Sequence, residues 1–373
     1  MHTIRPRRRL RDTVLAALML AAVPFAPAAL ADEALHTAWT SPRVFNAVAV
    51  ADNGRMFVSF PYWGGGGDGP TVAEIDRNGQ PHPFPDAHWN RPDGSRGDLQ
   101  PFVRVNAIRI GPDGLLWVVD SGDANVGGPP NPPDGAPARL LAFDIETGSV
   151  KHVITLRAAS TAHSYMDDMR FHNDMIFVTD AGDPALVVVN LRTGQQRRIL
   201  AHDRSTTDER PMYAEGRLLT THGSPVRVHA DQLEVSPDGQ KLYFQPSSGP
   251  MWVAPTAALE NPALSAADLS HAVSQFYDTP TTGGSAIDGD GNLYVSDVNT
   301  LRILRITPQG KATTLVRDRR LVWADAMWID SHGTLWIPAV QLNRTATFQP
   351  DGVSRLHLPV AMYTMDLHLK PVR

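Results

Sequence analysis

At 373 residues with a formal net charge of −5, the chain lacks the basic excess that nucleic-acid partners require. It has no cysteine, so neither disulfides nor thiolate chemistry contributes. Its 29 glycines and 31 prolines oppose long helices and favour a turn-rich, all-β chain, a class in which a domain of this length is common.

The first 31 residues read as a targeting segment. A cationic stretch, MHTIRPRRRLRD, precedes the apolar TVLAALMLAAVPFAPA, and ALA stands before Asp32 as an A-x-A cleavage site. Pro24 and Pro27 break the apolar run, which is too short to span a membrane, and no later stretch is apolar enough. The arginine cluster is compatible with a twin-arginine signal. The mature protein is expected to start near Asp32 and to work in the periplasm or outside the cell.

From Asn46 onward one pattern recurs: a polar residue, a short apolar strand, a turn ending near glycine, and a second apolar strand. The copies are NAVAVADNGRMFVSF from Asn46, NAIRIGPDGLLWVVD from Asn106 and DDMRFHNDMIFVTD from Asp167. DQLEVSPDGQKLYFQ from Asp231, GGSAIDGDGNLYVSD from Gly283 and DAMWIDSHGTLWIPA from Asp325 complete the set. Turns such as DNG, PDG and GDG supply the φ > 0 positions of tight hairpins. Second hairpins follow several copies, around ETG (Ala138–Leu156), RTG (Ala185–Leu200) and PQG (Leu301–Val316).

Four strands per repeat, six times over, predict a six-bladed β-propeller occupying residues 32–373 as one domain, with a β-sandwich as the alternative. The Pro/Gly-rich Gly122–Ala138 stretch is expected to be a long loop, and Thr256–Phe276 to carry the only helical turns. After the first hairpin, WGGGGDGPTVAEI (Trp63–Ile75) holds four consecutive glycines. It lacks a following G-K-S/T, so it is no phosphate-binding P-loop.

The inner strand of each blade lines a propeller's channel, so the residues opening the six hairpins should point at one axis. They are Asn46, Asn106, Asp167, Asp231, Gly283 and Asp325. Strands disfavour Asn and Asp, yet five of these six positions carry one. Two readings follow. An oxygen-rich ring at Asn46, Asn106, Asp167, Asp231 and Asp325 suits a hard divalent cation such as calcium. The same residue types also cap neighbouring backbone. Without a cation, converging aspartates would repel one another and at least one would titrate abnormally high.

Asp168, next to Asp167, is expected to point away from the channel because strand side chains alternate. HGSPVRVHAD (His222–Asp231) offers two histidines beside an aspartate, but no nucleophile elbow supports a catalytic triad. Trp63, Trp89, Trp252 and Trp323 lie in or near expected loops and are candidates to line a channel mouth. The ligand-contact set is Trp63, Asn106, Asp168, Trp323 and Asn343. The catalytic set is Asp167 or Asp231 as base with His222 as acid.

MFVSFPYWGGGGDGPTVAEI, LLWVVDSG, PARLLAFDIETG, MIFVTDAGDPALVVVNLRTG, LYFQPSSGPMWVAPTAAL and LWIPAVQLNR occur in an order that resembles the Yellow/major royal jelly protein family. The resemblance runs from about Phe45 to Phe348. It implies a six-bladed propeller that binds a small aromatic amine in its channel, or a dopachrome-tautomerase-related activity. There Gly64–Gly67 would fill a variable rim loop. The segments VNAIRIGPDGLLW and ADQLEVSPDGQKLYF are also similar to the SMP-30/gluconolactonase propellers. That likeness implies a calcium ion polarising a lactone, held by Asn106, Asp167, Asp231 and Asp325. That group's initial glutamate is absent, and Asn46 stands in the corresponding place. A rim that binds protein partners without catalysis is the third reading. The partner under the first two is a small molecule.

Overall fold

The computed structural model describes residues 1–3, 35–61, 68–91, 99–123, 130–132 and 134–372. Most of the expected targeting segment, Trp63 and the four glycines lie outside the described residues. From Leu35 the chain forms a six-bladed β-propeller, each blade a four-stranded antiparallel sheet. The six expected inner hairpins head these blades. In blade 2, Val105–Ile110 and Leu115–Asp120 pair around the PDG turn, followed by Arg139–Asp144 and Val150–Thr155. Blades 3, 4 and 5 repeat this within residues 166–199, 230–277 and 285–317. Blade 6 takes three strands from residues 328–366 and its outermost strand, His36–Ser41, from the start of the propeller.

The hydrophobic core is divided into wedges between neighbouring blades. Phe57 and Phe84 of blade 1 meet Leu116 and Phe143 of blade 2, and blades 2 and 3 share Trp117, Met169 and Val187. A carboxylate closes the second strand of three blades, in VVD, VTD and VSD. Asp120, Asp180 and Asp297 hold Arg139, Arg198 and Arg302 at 2.5, 2.7 and 2.8 Å, and each also accepts from nearby backbone N–H groups.

Helical turns occur at Thr256–Glu260 and Ala266–His271, the latter opened by a Ser265–Asp268 capping box. They are not the only ones. Short 3-10 turns also occur at Arg157–Ala159, Leu342–Arg344 and Ala346–Phe348.

Between blades 3 and 4 the chain makes an excursion, residues 203–229, containing two minimal hairpins. Its Met212, Ala214, Leu219 and Val226 pack against Phe45 and Phe60 of blade 1, Val298 of blade 5 and Val340 of blade 6. Those contacts lie where inner strands begin and second strands end, so the excursion crosses that face of the propeller.

Candidate functional site

The inner strands of blades 2, 3 and 4 share a local irregularity. Between Val105 and Ile108, Met166 and Met169, and Ala230 and Leu233 the pairing register shifts by one residue. Two residues then oppose one on the partner strand, which is a β-bulge. The consequence is chemical. Asp167 and Asp168 both line the channel, as do Asn106 with Ala107 and Asp231 with Gln232. The expectation that Asp168 points away fails here, because the bulge breaks the alternation on which it rested.

All six blades contribute to one central cavity of about 10 Å³, the room of a single water molecule or ion. Asn46, Asn106, Asp167, Asp231 and Asp325 line it, and blade 5 supplies Gly283, Gly284 and Ser285. Blade 5 breaks the Asn/Asp pattern for a steric reason. A Cβ on Gly284 would sit 2.3 Å from the Asp325 carbonyl oxygen, and one on Gly283 2.5 Å from that of Ala324.

Asp167 accepts a hydrogen bond from Asn106 Nδ2 at 2.6 Å, and Asn106 Oδ1 accepts one from the Tyr165 hydroxyl at 3.2 Å. Asp231 accepts from the Ser247 hydroxyl at 2.6 Å, and its carboxyl interacts with that of Asp167 across the cavity. Asp325 accepts from Trp323 Nε1 at 2.9 Å and from the Ala326 N–H at 2.8 Å. Asn46 and Gln232 spend their N–H groups on the backbone of Asn106, Thr282 and Gly283. Their side-chain carbonyl oxygens, buried at the cavity, have no hydrogen-bond partner among the described residues.

Burial, reinforced by Asp231, raises Asp167 well above the usual carboxylate range. Burial also pushes Asp231 up to about 7 against the opposing bond from Ser247, and with Asp231 it raises Asp325. The cavity is thus a wall of acceptors short of positive charge.

A second polar layer continues along the channel. Arg170 reaches Glu234 through Nε and Nη2 at 2.9 and 2.7 Å and Asp168 at 2.7 Å. Ser285 donates to Glu234 at 2.9 Å, and Arg109 bonds the Met327 carbonyl at 3.3 Å. Burial would raise Asp168, but Arg170 and Arg109 outweigh it and hold the carboxyl low. Arg109, Arg170, Gln232, Glu234 and Ser285 were missed in the sequence. A signal was present: NAIR, DDMR and DQLE each place a charge three residues after the ring position, inside an otherwise apolar strand.

Several expected site residues lie elsewhere. His222 occupies an exposed turn of the excursion at φ 48°. His229 is half-buried, its Nδ1 accepting the Asp208 N–H at 3.0 Å. Trp323 lines no mouth; it is 4% exposed and orients Asp325 from behind. Trp89 and Trp252 are buried too. Asn343, 1% exposed, donates to Glu215 at 2.8 Å in the contact that fastens the excursion to blade 6. Among the described residues, no group of three or more His, Asp or Glu side chains is arranged to hold a metal ion by itself. Any cation here would draw on amide oxygens as well.

No curated protein matches the sequence at a significant level. Solved structures share the fold, among them the following two. A gluconolactonase from Xanthomonas campestris superposes with a TM-score of 0.55 at 14% identity, covering 90% of this chain and 89% of that one. Regucalcin from Agrobacterium tumefaciens, described as a calcium-binding protein, gives 0.52 at 11% identity, covering 90% and 95%. The family model for major royal jelly protein matches residues 103–365, which spans five of the six inner hairpins. The chain belongs to the major royal jelly protein family.

Proposed function

We propose that the channel centre binds a divalent cation, calcium foremost, and that the protein hydrolyses a small cyclic ester there. The observation that carries this is the ion-sized, oxygen-rich cavity: three buried carboxyls raised above their usual range, and two buried amide oxygens without partners among the described residues. Calcium takes six to eight oxygens, and this donor set is all oxygen. Asp167 and Asp231 would hold the ion with the Asn46 and Gln232 carbonyl oxygens. When bound, such an ion polarises a carbonyl and acidifies water.

The remaining chemistry belongs to the side chains. Ser247 and Asn106 each donate to one oxygen of the Asp231 and Asp167 carboxyls, and so orient them. A carboxyl that titrates near 7 both accepts and returns a proton at neutral pH. The layer of Arg109, Arg170, Asp168 and Glu234 balances its own charge, two cations against two carboxylates, and lends the pair no cation to lower it. The lactone class rests on the kinship of fold with a gluconolactonase and is part of the proposal.

A second reading, a small aromatic amine with tautomerase-like proton transfer, suits the same acceptors, which would take an ammonium group. It fits less well, because the cavity admits an ion but no ring unless the 203–229 excursion moves. We also propose export, with residues 1–31 removed; the amino terminus of the exported protein should then read from Asp32.

Calorimetric titration of calcium into chelator-treated protein tests the site. Saturable binding is expected, lost in the Asp167→Asn/Asp231→Asn variant and weakened about tenfold per pH unit below 7 as protons compete. A folded wild type that gives no heat overturns the metal reading. Heat with 2-phenylethylamine instead, lost in the same variant, would establish the amine reading.

A further inference from the structure

Away from the channel, the Arg204–Arg210 segment and the edge of blade 4 line an open cleft of about 390 Å³. That volume lies in the range of small-ligand sites. Its floor is Trp252, 5% exposed, on the strand Met251–Pro255, with Pro250 leading in and Gln275 on the neighbouring strand. The opposite wall is stiff. Thr206 and Thr207 hydroxyls donate to the carbonyls of Leu200 and Asp203 at 2.7 and 2.8 Å, and the buried Asp208 accepts from Val228 N–H at 3.0 Å.

The charges in this cavity are unbalanced in a specific way. Arg204 lies 4.4 Å over the Trp252 ring. Its guanidinium makes no hydrogen bond or ion pair among the described residues. Asp203 beside it is occupied by Ser205 at 2.6 Å and Ser270 at 2.6 Å. Arg210 is paired with Asp278 at 2.6 Å. Glu209 also lines the cavity and, among the described residues, has neither ion pair nor hydrogen bond. Asp203 feels the Arg204 charge, but among the described residues one wall offers a guanidinium and a carboxylate that make no hydrogen bond, with each other or elsewhere, beside an aromatic floor. A guanidinium stacked on a ring directs its N–H fork sideways, the geometry that takes a carboxylate through two bonds.

We propose that this cavity binds a zwitterionic amino acid with an apolar side chain. The ligand's carboxylate lies on Arg204, its ammonium on Glu209 and its side chain along Trp252 and Pro250. The site is separate from the channel and does not depend on what the channel does.

The test is calorimetry in the Asp167→Asn/Asp231→Asn background, so that an amine entering the channel does not contribute. The probes are L-phenylalanine, 3-phenylpropionate and 2-phenylethylamine. L-phenylalanine should bind saturably and at least about tenfold more tightly than either analogue bearing a single charge. Arg204→Gln, at an exposed side chain without hydrogen bonds, should weaken L-phenylalanine and 3-phenylpropionate at least about tenfold and leave the circular dichroism unchanged. Glu209→Gln should abolish the preference for L-phenylalanine over 3-phenylpropionate. The proposal is overturned if L-phenylalanine shows no saturation, if 3-phenylpropionate binds equally well, or if Arg204→Gln changes nothing.

Discussion

Asp231 carries the sharpest consequence of the channel's chemistry. Its carboxyl is held up to about 7 in the fold, against about 3.8 for an ordinary aspartate. Between those values the folded state keeps a proton that the unfolded chain has released, so stability falls as pH rises through that window and levels off above it. A proton held this much more tightly corresponds to on the order of 4 kcal/mol. Asp231→Asn carries no charge to bury and still accepts from Ser247. It should melt above the wild type at pH 8 and close to it at pH 4, in the absence of divalent cations. A variant that melts lower at pH 8 would refute the account. Arg170 poses the opposite case. Arg170→Ala leaves Glu234 buried without its ion pair and Asp168 with only the longer Arg109 contact at 3.5 Å, and should cost about 3–5 kcal/mol in chemical denaturation at neutral pH.

At the scale of elements, local chemistry was legible and register was not. The six inner hairpins could be read because DNG, PDG and GDG fix their turns within three or four residues. The ring could be read because Asn and Asp are out of place at strand starts. The bulges that turn Asp168 and Gln232 into the channel leave no mark in the alternation, since each depends on how the partner strand pairs. The excursion was equally hidden: its strands are two residues long, and only contacts with blades 1, 5 and 6 give it form. For the same reason Trp323 and Asn343 resembled mouth residues, although each is buried by a segment remote in sequence. One side chain ties the excursion's two ends. Asp208, 4% exposed, accepts from the Arg210 and Val228 N–H groups and from Arg227 Nη1, at 3.2, 3.0 and 3.2 Å. Asp208→Ala should cost about 1–3 kcal/mol and expose Arg210, Arg217 and Arg227 to trypsin while the blades stay intact. An unchanged cleavage pattern would mean that the apolar contacts alone hold the excursion down.

The whole molecule is a ring in which each blade packs chiefly on its neighbours, so its cooperativity depends on how the ring is shut. Here the closing strand His36–Ser41 pairs with Val360–Asp366 of blade 6, and one side chain carries that strand across to blade 1. Trp39, 8% exposed, packs on Phe45 and Phe60 at 5.2 and 6.3 Å between ring centres, and its Nε1 donates to the Gly79 carbonyl at 2.9 Å. Removing it leaves a void at the seam and takes away that carbonyl's indole donor. Trp39→Ala should therefore cost about 3–5 kcal/mol. Trp39→Phe, which keeps most of the ring but not the N–H, should lose less. The distribution matters more than the sum. If the seam is what shuts the ring, amide exchange in Trp39→Ala should rise first in Val360–Asp366 and Met56–Ser59, on either side of it. Met175–Asp180, across the ring in blade 3, should stay protected. Equal acceleration in all three strands would show that the blades unfold as one unit and that the seam is no weaker than any other blade contact.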